Sequence, residues 1–419
     1  VSERLLDGLT RHGPIPLDRH LAVHGPLPEA GPDLIGEVRR SGLVGRGGAG
    51  FPAAVKLAAV AEGSRPVVVV NGTEGEVMSA KDRALLTRAP HLVLDGAAAA
   101  AAAVGARDVL VTAPAPARAV LAEALAERAA AAGGRRGGRG PRVTVVERAA
   151  GYVAGEETAV VAHLEGRAPR PRMSPPLVAH EGYKKRPTLV QNVETLAHLA
   201  LIARHGGGWF RERGPAARPG TTLVTVSGAV RAPGVHEVDS GAALADVLAR
   251  AGGATERVRA LLVGGYFGAW VPAEAAGLAL DDDALGRHGA AVGAGVVVVL
   301  GASACPVAET ARLADYLAAE SAGQCGPCVF GLRALADGVA RFAGGRTQAG
   351  DGEQLVRWMD MVRGRGACRH PDGVVRMLTS AIRLFRQEFE AHARRGPCRR
   401  CAAPGTLVLP APAGRRAAA

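Results

Sequence analysis

Residues 45–52 read Gly45-Arg46-Gly47-Gly48-Ala49-Gly50-Phe51-Pro52, and Lys56 follows one helical turn later. Four glycines in six residues, then Phe-Pro and the helix-compatible run Ala53 to Ala61, describe a bare backbone loop feeding a helix. Without Cβ atoms such a loop adopts positive φ and brings its N–H groups close to a ligand. The helix start adds partial positive charge, so a phosphate or another anion is the natural guest. The spacing is not the G-x-G-x-x-G of an ordinary dinucleotide fold. The loop alone therefore leaves its guest open.

On either side of this loop the chain alternates strand and helix. Pro66 to Val70 is a short β-branched run that suits a buried parallel strand, and it ends in Asn71-Gly72-Thr73-Glu74-Gly75-Glu76, then Lys81-Asp82-Arg83. Polar residues just past a strand's carboxyl end are where open α/β sheets bind ligands. A helix over His91 to Ala103, a strand over Asp108 to Thr112, a helix over Ala115 to Ala132 and a strand over Arg142 to Val146 follow. Together they define an α/β domain. Gly133 to Gly140 reads as a mobile surface loop. Gly151-Tyr152-Val153-Ala154-Gly155-Glu156-Glu157-Thr158 carries two carboxylates into a helix start, where the dipole favours them. Arg186 to Thr195 brings the amide pair Gln191-Asn192 to another helix start. Residues 1–40 form a leading segment laid across this domain.

The chain has 419 residues, enough for two or three domains, and a formal net charge of +12. Its basic residues are scattered and few aromatics lie among them, which argues against a nucleic-acid surface. Only four of the 51 basic residues are lysines (Lys56, Lys81, Lys184 and Lys185), and all lie in or beside the motif segments. Where arginine otherwise prevails, this placement suggests a need for a compact ammonium. The start is polar and charged, so no signal peptide is expected. The longest apolar runs, Ala97 to Val104 and Val296 to Ala302, fall well short of the ~20 residues of a membrane span. The expected location is cytoplasmic, at most peripheral to a membrane through a complex. All six cysteines (305, 325, 328, 368, 398 and 401) lie in the last third, which in such a protein argues for metal or redox chemistry over disulfides.

Taken in order, G-R-G-G-A-G-F-P, N-x-x-E-G-E…K-D-R, G-Y-x-x-G-E-E-T and P-T-x-V-x-N-V-E-T resemble the flavin-bearing NADH dehydrogenase subunit of respiratory complex I. The same module serves as the diaphorase subunit of NAD-linked hydrogenases and formate dehydrogenases. The resemblance implies a Rossmann-like FMN and NADH domain (1–215), a β-grasp domain of SLBB type (216–303), a helical iron–sulfur-type bundle (304–397) and a Cys-containing, disordered tail (398–419). It implies FMN held by the backbone of Gly45, Arg46, Gly47, Gly48 and Gly50, by Lys56 and by Asn71, with Glu74, Gly155, Glu156, Glu157, Asn192 and Thr195 beside it. Glu76, Phe51, Tyr152 and Glu157 match positions that contact NAD(H), and Glu76 and Glu157 are the candidate catalytic groups. A small thioredoxin-like 2Fe–2S subunit is the implied partner.

Three departures qualify this. Leu57-Ala58-Ala59 stands where the family is aromatic, Ser174 and Leu177 stand where it has Lys and Phe, and Thr73 replaces an Asp. Stacking on aromatic rings contributes roughly 1–3 kcal/mol per base in single-stranded nucleic acid. The altered adenine pocket is thus expected to weaken NADH binding by about two or three decades, at about 1.4 kcal/mol each. Lys184 or Lys185 is a candidate replacement for the missing cation.

The cluster motif departs as well. The family's E-S-C-G-x-C-x-x-C reads here Glu320-Ser321-Ala322-Gly323-Gln324-Cys325-Gly326-Pro327-Cys328, followed by Cys368. Cys325, Cys328 and Cys368 give three thiolates where a 4Fe–4S cluster takes four. They suit a three-iron cluster or a four-iron cluster with an outside ligand, and Cys305 or the Cys398/Cys401 pair can supply a fourth. Paired C-x-x-C ligands (325/328 and 398/401) could instead make a four-thiolate zinc site, and a metal-free site is a further reading, both behind iron–sulfur. Cys305, in an apolar stretch, reads as a buried core thiol. The function expected is an FMN-dependent NADH dehydrogenase component passing electrons to an iron–sulfur centre. The alternative is a flavin-binding relay or assembly subunit that has lost NADH oxidation.

Overall fold

The structure is a computed structural model that describes residues 3–9, 13–133, 140–173 and 175–410. Ser174, most of the expected loop at 133–140 and the tail beyond residue 410 lie outside the described residues.

Strands β1 (Val67–Asn71), β2 (Asp108–Ala113), β3 (Arg142–Glu147) and β4 (Thr188–Asn192) form an all-parallel sheet in the order β3-β2-β1-β4. Val67 to Val70 are fully buried because both faces are covered. Val68 and Val70 pack against the helices Pro90–Val104 and Val193–Phe210, while Val67 and Val69 pack against Val160 and Val161 of the helix Glu157–Leu164. The two long helices cross backbone to backbone. A Cβ at Gly96 would lie 1.9 Å from the Leu196 carbonyl oxygen. In this order the chain steps outward from β1 to β3, then returns to the other side of β1 as β4. The carboxyl ends of β1 and β4 are therefore the topological switch point, and Asn71 and Asn192 are register partners there.

Strands β5 (Thr221–Gly228), β6 (Gly234–Asp239), β7 (Val258–Val263), β8 (Ala269–Pro272) and β9 (Val296–Gly301) make a mixed sheet in the order β6-β5-β9-β7-β8, with only β5 and β9 parallel. One face packs on the helix Leu244–Arg250. From the other, Leu262, Trp270, Val298 and Leu300 join the core of the helices Pro306–Ala319, Leu332–Ala343, Asp351–Val362, His370–Leu384 and Arg386–Arg395. This is the expected succession of α/β sheet, β-grasp sheet and helical bundle. Glu237 on β6 fastens the leading segment by accepting the amides of Arg4, Leu5 and Leu6 at 2.9, 2.8 and 3.1 Å.

Two expectations are corrected. The amphipathic pattern of Val374 to Ala391 predicts one helix, but the chain forms two, broken at Phe385, whose backbone leaves the helical region (φ −105°, ψ 27°) as its ring buries against Trp270 at 5.5 Å. The tail is also ordered through residue 410. Thr406 and Leu407 donate their amides to Glu309 at 2.8 and 3.2 Å, and Leu407 is buried.

Candidate functional site

An isolated bridge between Val44 and Pro52, with Gly45 N–H donating to Phe51 O at 2.8 Å, closes the glycine-rich loop at its base. Gly48 (φ 107°) and Gly50 (φ 63°) hold conformations that disfavour a side chain. The loop delivers the chain into the helix Ala53–Ala61, whose N-cap, Pro52, offers no side-chain acceptor. Among the described residues, the amides of Gly47, Gly48, Ala49 and Gly50 donate to no protein group. Uncapped amides at a helix start form a cradle that suits an anion. Phe51 is half exposed at the rim.

Arg46 takes part through its backbone. Its amide donates to Thr195 Oγ1 at 2.9 Å, while its buried guanidinium reaches away to Thr221 O (3.0 Å) and Ser240 Oγ (3.2 Å) in the β-grasp domain. The Thr195 hydroxyl is thus a support for the loop. Beneath it, Lys81 Nζ donates to Arg46 O at 2.6 Å and pairs with the fully buried Glu194 at 2.5 Å.

Across the cradle, Asn71 Nδ2 donates to Gly155 O at 2.9 Å and Asn192 Nδ2 donates to Asp82 Oδ2 at 2.6 Å. Gly47 passes directly over Asn192, where a Cβ would lie 3.4 Å from the Asn192 Cβ. Lys56 Nζ donates to Glu157 at 2.7 Å and to Val190 O at 3.2 Å, so it stands between the loop and β4. Glu156 caps the helix behind it, accepting from Thr158 N and Ala159 N at 2.9 and 3.1 Å. Glu74, at φ 43°, accepts from Ser79 Oγ, Asp82 N and Arg83 N at 2.7, 3.0 and 3.1 Å, which places it as a brace of its own loop. Burial pushes Asp82 up to about 7 against the pull of Lys81, and its Oδ1 has no hydrogen-bond partner.

Glu76 collects three donors: Tyr152 Oη at 2.5 Å, Tyr266 N at 2.7 Å and Met78 N at 3.1 Å. Desolvation nonetheless pushes its carboxyl above the ordinary range. Gly75 has no room for a side chain, since a Cβ would lie 2.1 Å from Tyr152 O. The Tyr152 ring also contacts Phe267 (centroids 4.6 Å apart) and His370 (5.9 Å). The sequence reading placed Asp82 in a ligand-binding stretch without giving it a role, and missed Tyr266 as part of this site. Tyr266 comes from the loop between β7 and β8, and no spacing rule joins it to residue 76.

Cys325 and Cys328 interact and Cys368 lies near them, but among the described residues the three sulfurs do not form a group whose ligand atoms all lie within 4.8 Å of one another. Burial and the neighbouring Cys325 and Cys368 push Cys328 up to about 12. Burial also acts on Cys325, but the amides of Ala367 and Cys328 outweigh it and lower that thiol. Burial raises the Cys368 thiol, and the charge of Glu156 adds to that. Three thiols and Ala322 leave the four-ligand set of a 4Fe–4S cluster incomplete.

Cys305 is buried as expected, but not as a lone core thiol. Its sulfur joins His392, Cys398 and Cys401 in a group whose ligand atoms all lie within 4.8 Å of one another. The Cys398/Cys401 pair is thus engaged with Cys305 and His392. Lys184 and Lys185 are exposed, with Lys184 Nζ 5.2 Å from the Tyr183 ring centroid.

The chain resembles known proteins. Residues 38–201 match the Nuo51 FMN-binding domain, residues 223–265 the SLBB domain and residues 308–392 the iron–sulfur binding region of NADH-ubiquinone oxidoreductase F. The chain is 36% identical over 390 residues to the second F-type subunit of NADH-quinone oxidoreductase in Rhizobium meliloti, covering 90% of this chain and 93% of that one. It is 34% identical over 381 residues to the F-type subunit of the same enzyme in Mycobacterium tuberculosis, covering 87% and 86%. Among solved structures, a chain of the NAD+-reducing NiFe hydrogenase in its H2-reduced state superposes with a TM-score of 0.83 at 32% identity, over 93% of this chain and 66% of that one. The present chain thus spans just under two thirds of that hydrogenase chain. Among the described residues, no helix is long and apolar enough to cross a membrane.

Proposed function

The chain belongs to the F-type subunit family of NADH-quinone oxidoreductase, the flavoprotein subunits with FMN-binding and iron–sulfur binding regions, and from that premise we propose that it oxidises NADH as one component of a larger redox complex. The observation that carries this reading is the cradle of free amides at Gly47 to Gly50, set over the Asn71–Asn192 switch point with Lys56 beside it. Its donors suit the dianionic phosphate of FMN. Bound FMN supplies hydride acceptance from a nicotinamide and one-electron delivery onward.

The protein's own residues position and shield. Gly47 to Gly50 and Lys56 hold the phosphate, and the Asn71 and Asn192 side chains, fixed by Gly155 and Asp82, present a rigid polar floor. Phe51 at the rim offers a ring for the nicotinamide nucleotide to lie against. Glu76, held by Tyr152 and Tyr266, orients the nicotinamide side, and Glu157 pairs with Lys56 beside the cradle. Proximity and exclusion of water are the protein's contribution to rate. Cys325, Cys328 and Cys368 lie on the exit side, where a partner such as a thioredoxin-like 2Fe–2S protein would take electrons.

Anaerobic stopped-flow absorbance of the FMN-loaded protein mixed with NADH tests the proposal. Rapid bleaching of the flavin band at sub-millimolar NADH is the expected result. A flavin that stays oxidised with NADH yet bleaches with dithionite overturns it and selects a relay or assembly role, which Ala322 and the altered adenine pocket favour.

A further inference from the structure

We infer that Cys305, His392, Cys398 and Cys401 form a structural zinc site, separate from the flavin and from the three-thiol group at Cys325, Cys328 and Cys368. The four ligand atoms lie within 4.8 Å of one another, and the separations below are close to those a single tetrahedral ion requires. With Zn–S bonds of about 2.3 Å and a Zn–N bond of about 2.0–2.1 Å, tetrahedral geometry spaces sulfurs about 3.8 Å apart, and sulfur from nitrogen about 3.6 Å. Cys398 and Cys401 Sγ are 3.7 Å apart, and Cys401 and Cys305 Sγ 3.4 Å. His392 Nε2 lies 3.6 Å from Cys305 Sγ and 3.8 Å from Cys401 Sγ. The sulfur separations are far too long for a disulfide, whose S–S bond is about 2.0 Å.

The surroundings agree with this assignment. His392 is buried, and its Nδ1 lies 3.3 Å from Phe342 O. Donation from Nδ1 to that carbonyl leaves Nε2 unprotonated and aimed at the sulfurs, the arrangement that orients ligating histidines. Three thiolates and one imidazole are a donor set that zinc prefers and that hard cations refuse. The cysteines come from two places. Cys305 precedes the helix Pro306–Ala319, and Cys398-Arg399-Arg400-Cys401 is a C-x-x-C turn beyond the helix Arg386–Arg395, which itself carries His392. Arg399 and Arg400 put positive charge beside a site that three thiolates leave with one net negative charge.

An ion there fixes the start of one bundle helix to the end of another and anchors the segment that follows. From Cys401 the chain runs to Thr406 and Leu407, held by Glu309, and to Val408, whose carbonyl accepts the Tyr266 hydroxyl at 2.8 Å. Tyr266 in turn donates its amide to Glu76. The clasp thus braces the far wall of the nicotinamide side. This is a reason for four ligands to persist in a region whose neighbouring cluster motif has lost one.

The test is elemental analysis of the purified full-length protein, reading zinc and iron per chain separately. Wild type and Cys325→Ser are expected to carry about one zinc per chain, His392→Ala to lose it, and His392→Cys, which offers a four-thiolate set, to retain it. Zinc-edge X-ray absorption of the unmutated protein, which needs no variant to fold, is expected to report three sulfurs and one nitrogen. Zinc absent from wild type, zinc retained in His392→Ala, or a first shell of other composition overturns the assignment. Iron that falls in His392→Ala but not in Cys325→Ser overturns it too, by making the group an iron site.

Discussion

The Tyr152 hydroxyl donates to Glu76 Oε2 at 2.5 Å, a bond that joins two residues 76 positions apart in the chain. The same carboxylate holds Tyr266 N, so one glutamate joins the flavin domain to the β-grasp domain. Its three donors oppose desolvation, which is the larger effect and keeps the Glu76 carboxyl raised. The balance is local and can be shifted by one atom.

Tyr152→Phe removes that atom while keeping the ring contacts with Phe267 and His370. A hydrogen bond to a charged group contributes about 1.5–3 kcal/mol, so kcat/KM for NADH is expected to fall about tenfold or more. With one opposing donor gone, desolvation raises Glu76 further, and ionised Glu76 persists only at higher pH. The acid limb of the pH–rate profile should therefore move upward, with a larger loss at pH 6 than at pH 9. An unmoved profile would separate Glu76 from the reaction.

Much of this arrangement was legible in the chain itself, for identifiable reasons. The loop at residues 45–52 is visible because glycine density and a following helical run are local signals. Asn71 and Asn192 each stand at the end of a readable strand, yet their register partnership follows only from the order β3-β2-β1-β4. Arg46 reads as a backbone ligand from its place in the loop, whereas its amide is taken by Thr195 and its guanidinium by acceptors on a different domain. Cys305 and His392 are 87 residues apart, so no spacing pattern joins them. The break at Phe385 and the packed tail at residues 402–410 are likewise tertiary effects, set by Trp270 and Glu309.

Glu194 has 0% exposure and accepts from Lys81, Thr222 and the Leu223 amide, so its substitution tests what supports the loop. Truncating one partner of a buried pair leaves the other charge uncompensated, at a cost of about 3–5 kcal/mol. Glu194→Ala is therefore expected to lower the thermal midpoint by about 10 °C or more, on the order of 2–4 °C per kcal/mol for a large domain. Burial raises the Glu194 carboxyl, but Lys81 and Arg46 outweigh it and hold it well below 4.5. A depressed carboxyl stabilises above its unfolded value and loses that contribution as pH falls below it. Wild type should thus destabilise below about pH 4.5, and the variant's midpoint should depend less on pH there, as read by differential scanning calorimetry.

Lys56→Met separates phosphate recognition from ring recognition. Lys56 already pairs with Glu157 on a partly exposed surface, so its loss costs the fold little. Its expected effect is on FMN, whose dissociation constant should rise about tenfold to a hundredfold, equivalent to about 1.4–2.8 kcal/mol. Riboflavin, which lacks the phosphate, should bind wild type and variant alike. Quenching of flavin fluorescence during titration measures both. Equal losses for the two ligands would place Lys56 at the ring instead.

Ala322 stands three residues before Cys325 and is half buried, at the position where a fourth thiolate would complete the set with Cys325, Cys328 and Cys368. Nearby amides lower the Cys325 thiol, whereas burial raises Cys328 to about 12. Thiolates are the ligand form. Ala322→Cys is expected to turn a cluster that leaks iron into one retained through gel filtration, with iron and acid-labile sulfide both rising toward about four per chain. Cys325→Ser in the same background should reverse the gain. If wild type already holds four irons and the substitution adds nothing, the fourth corner is filled by a ligand other than cysteine. If neither chain holds iron, the three thiols are a relic, and electrons must leave the flavin directly to the partner.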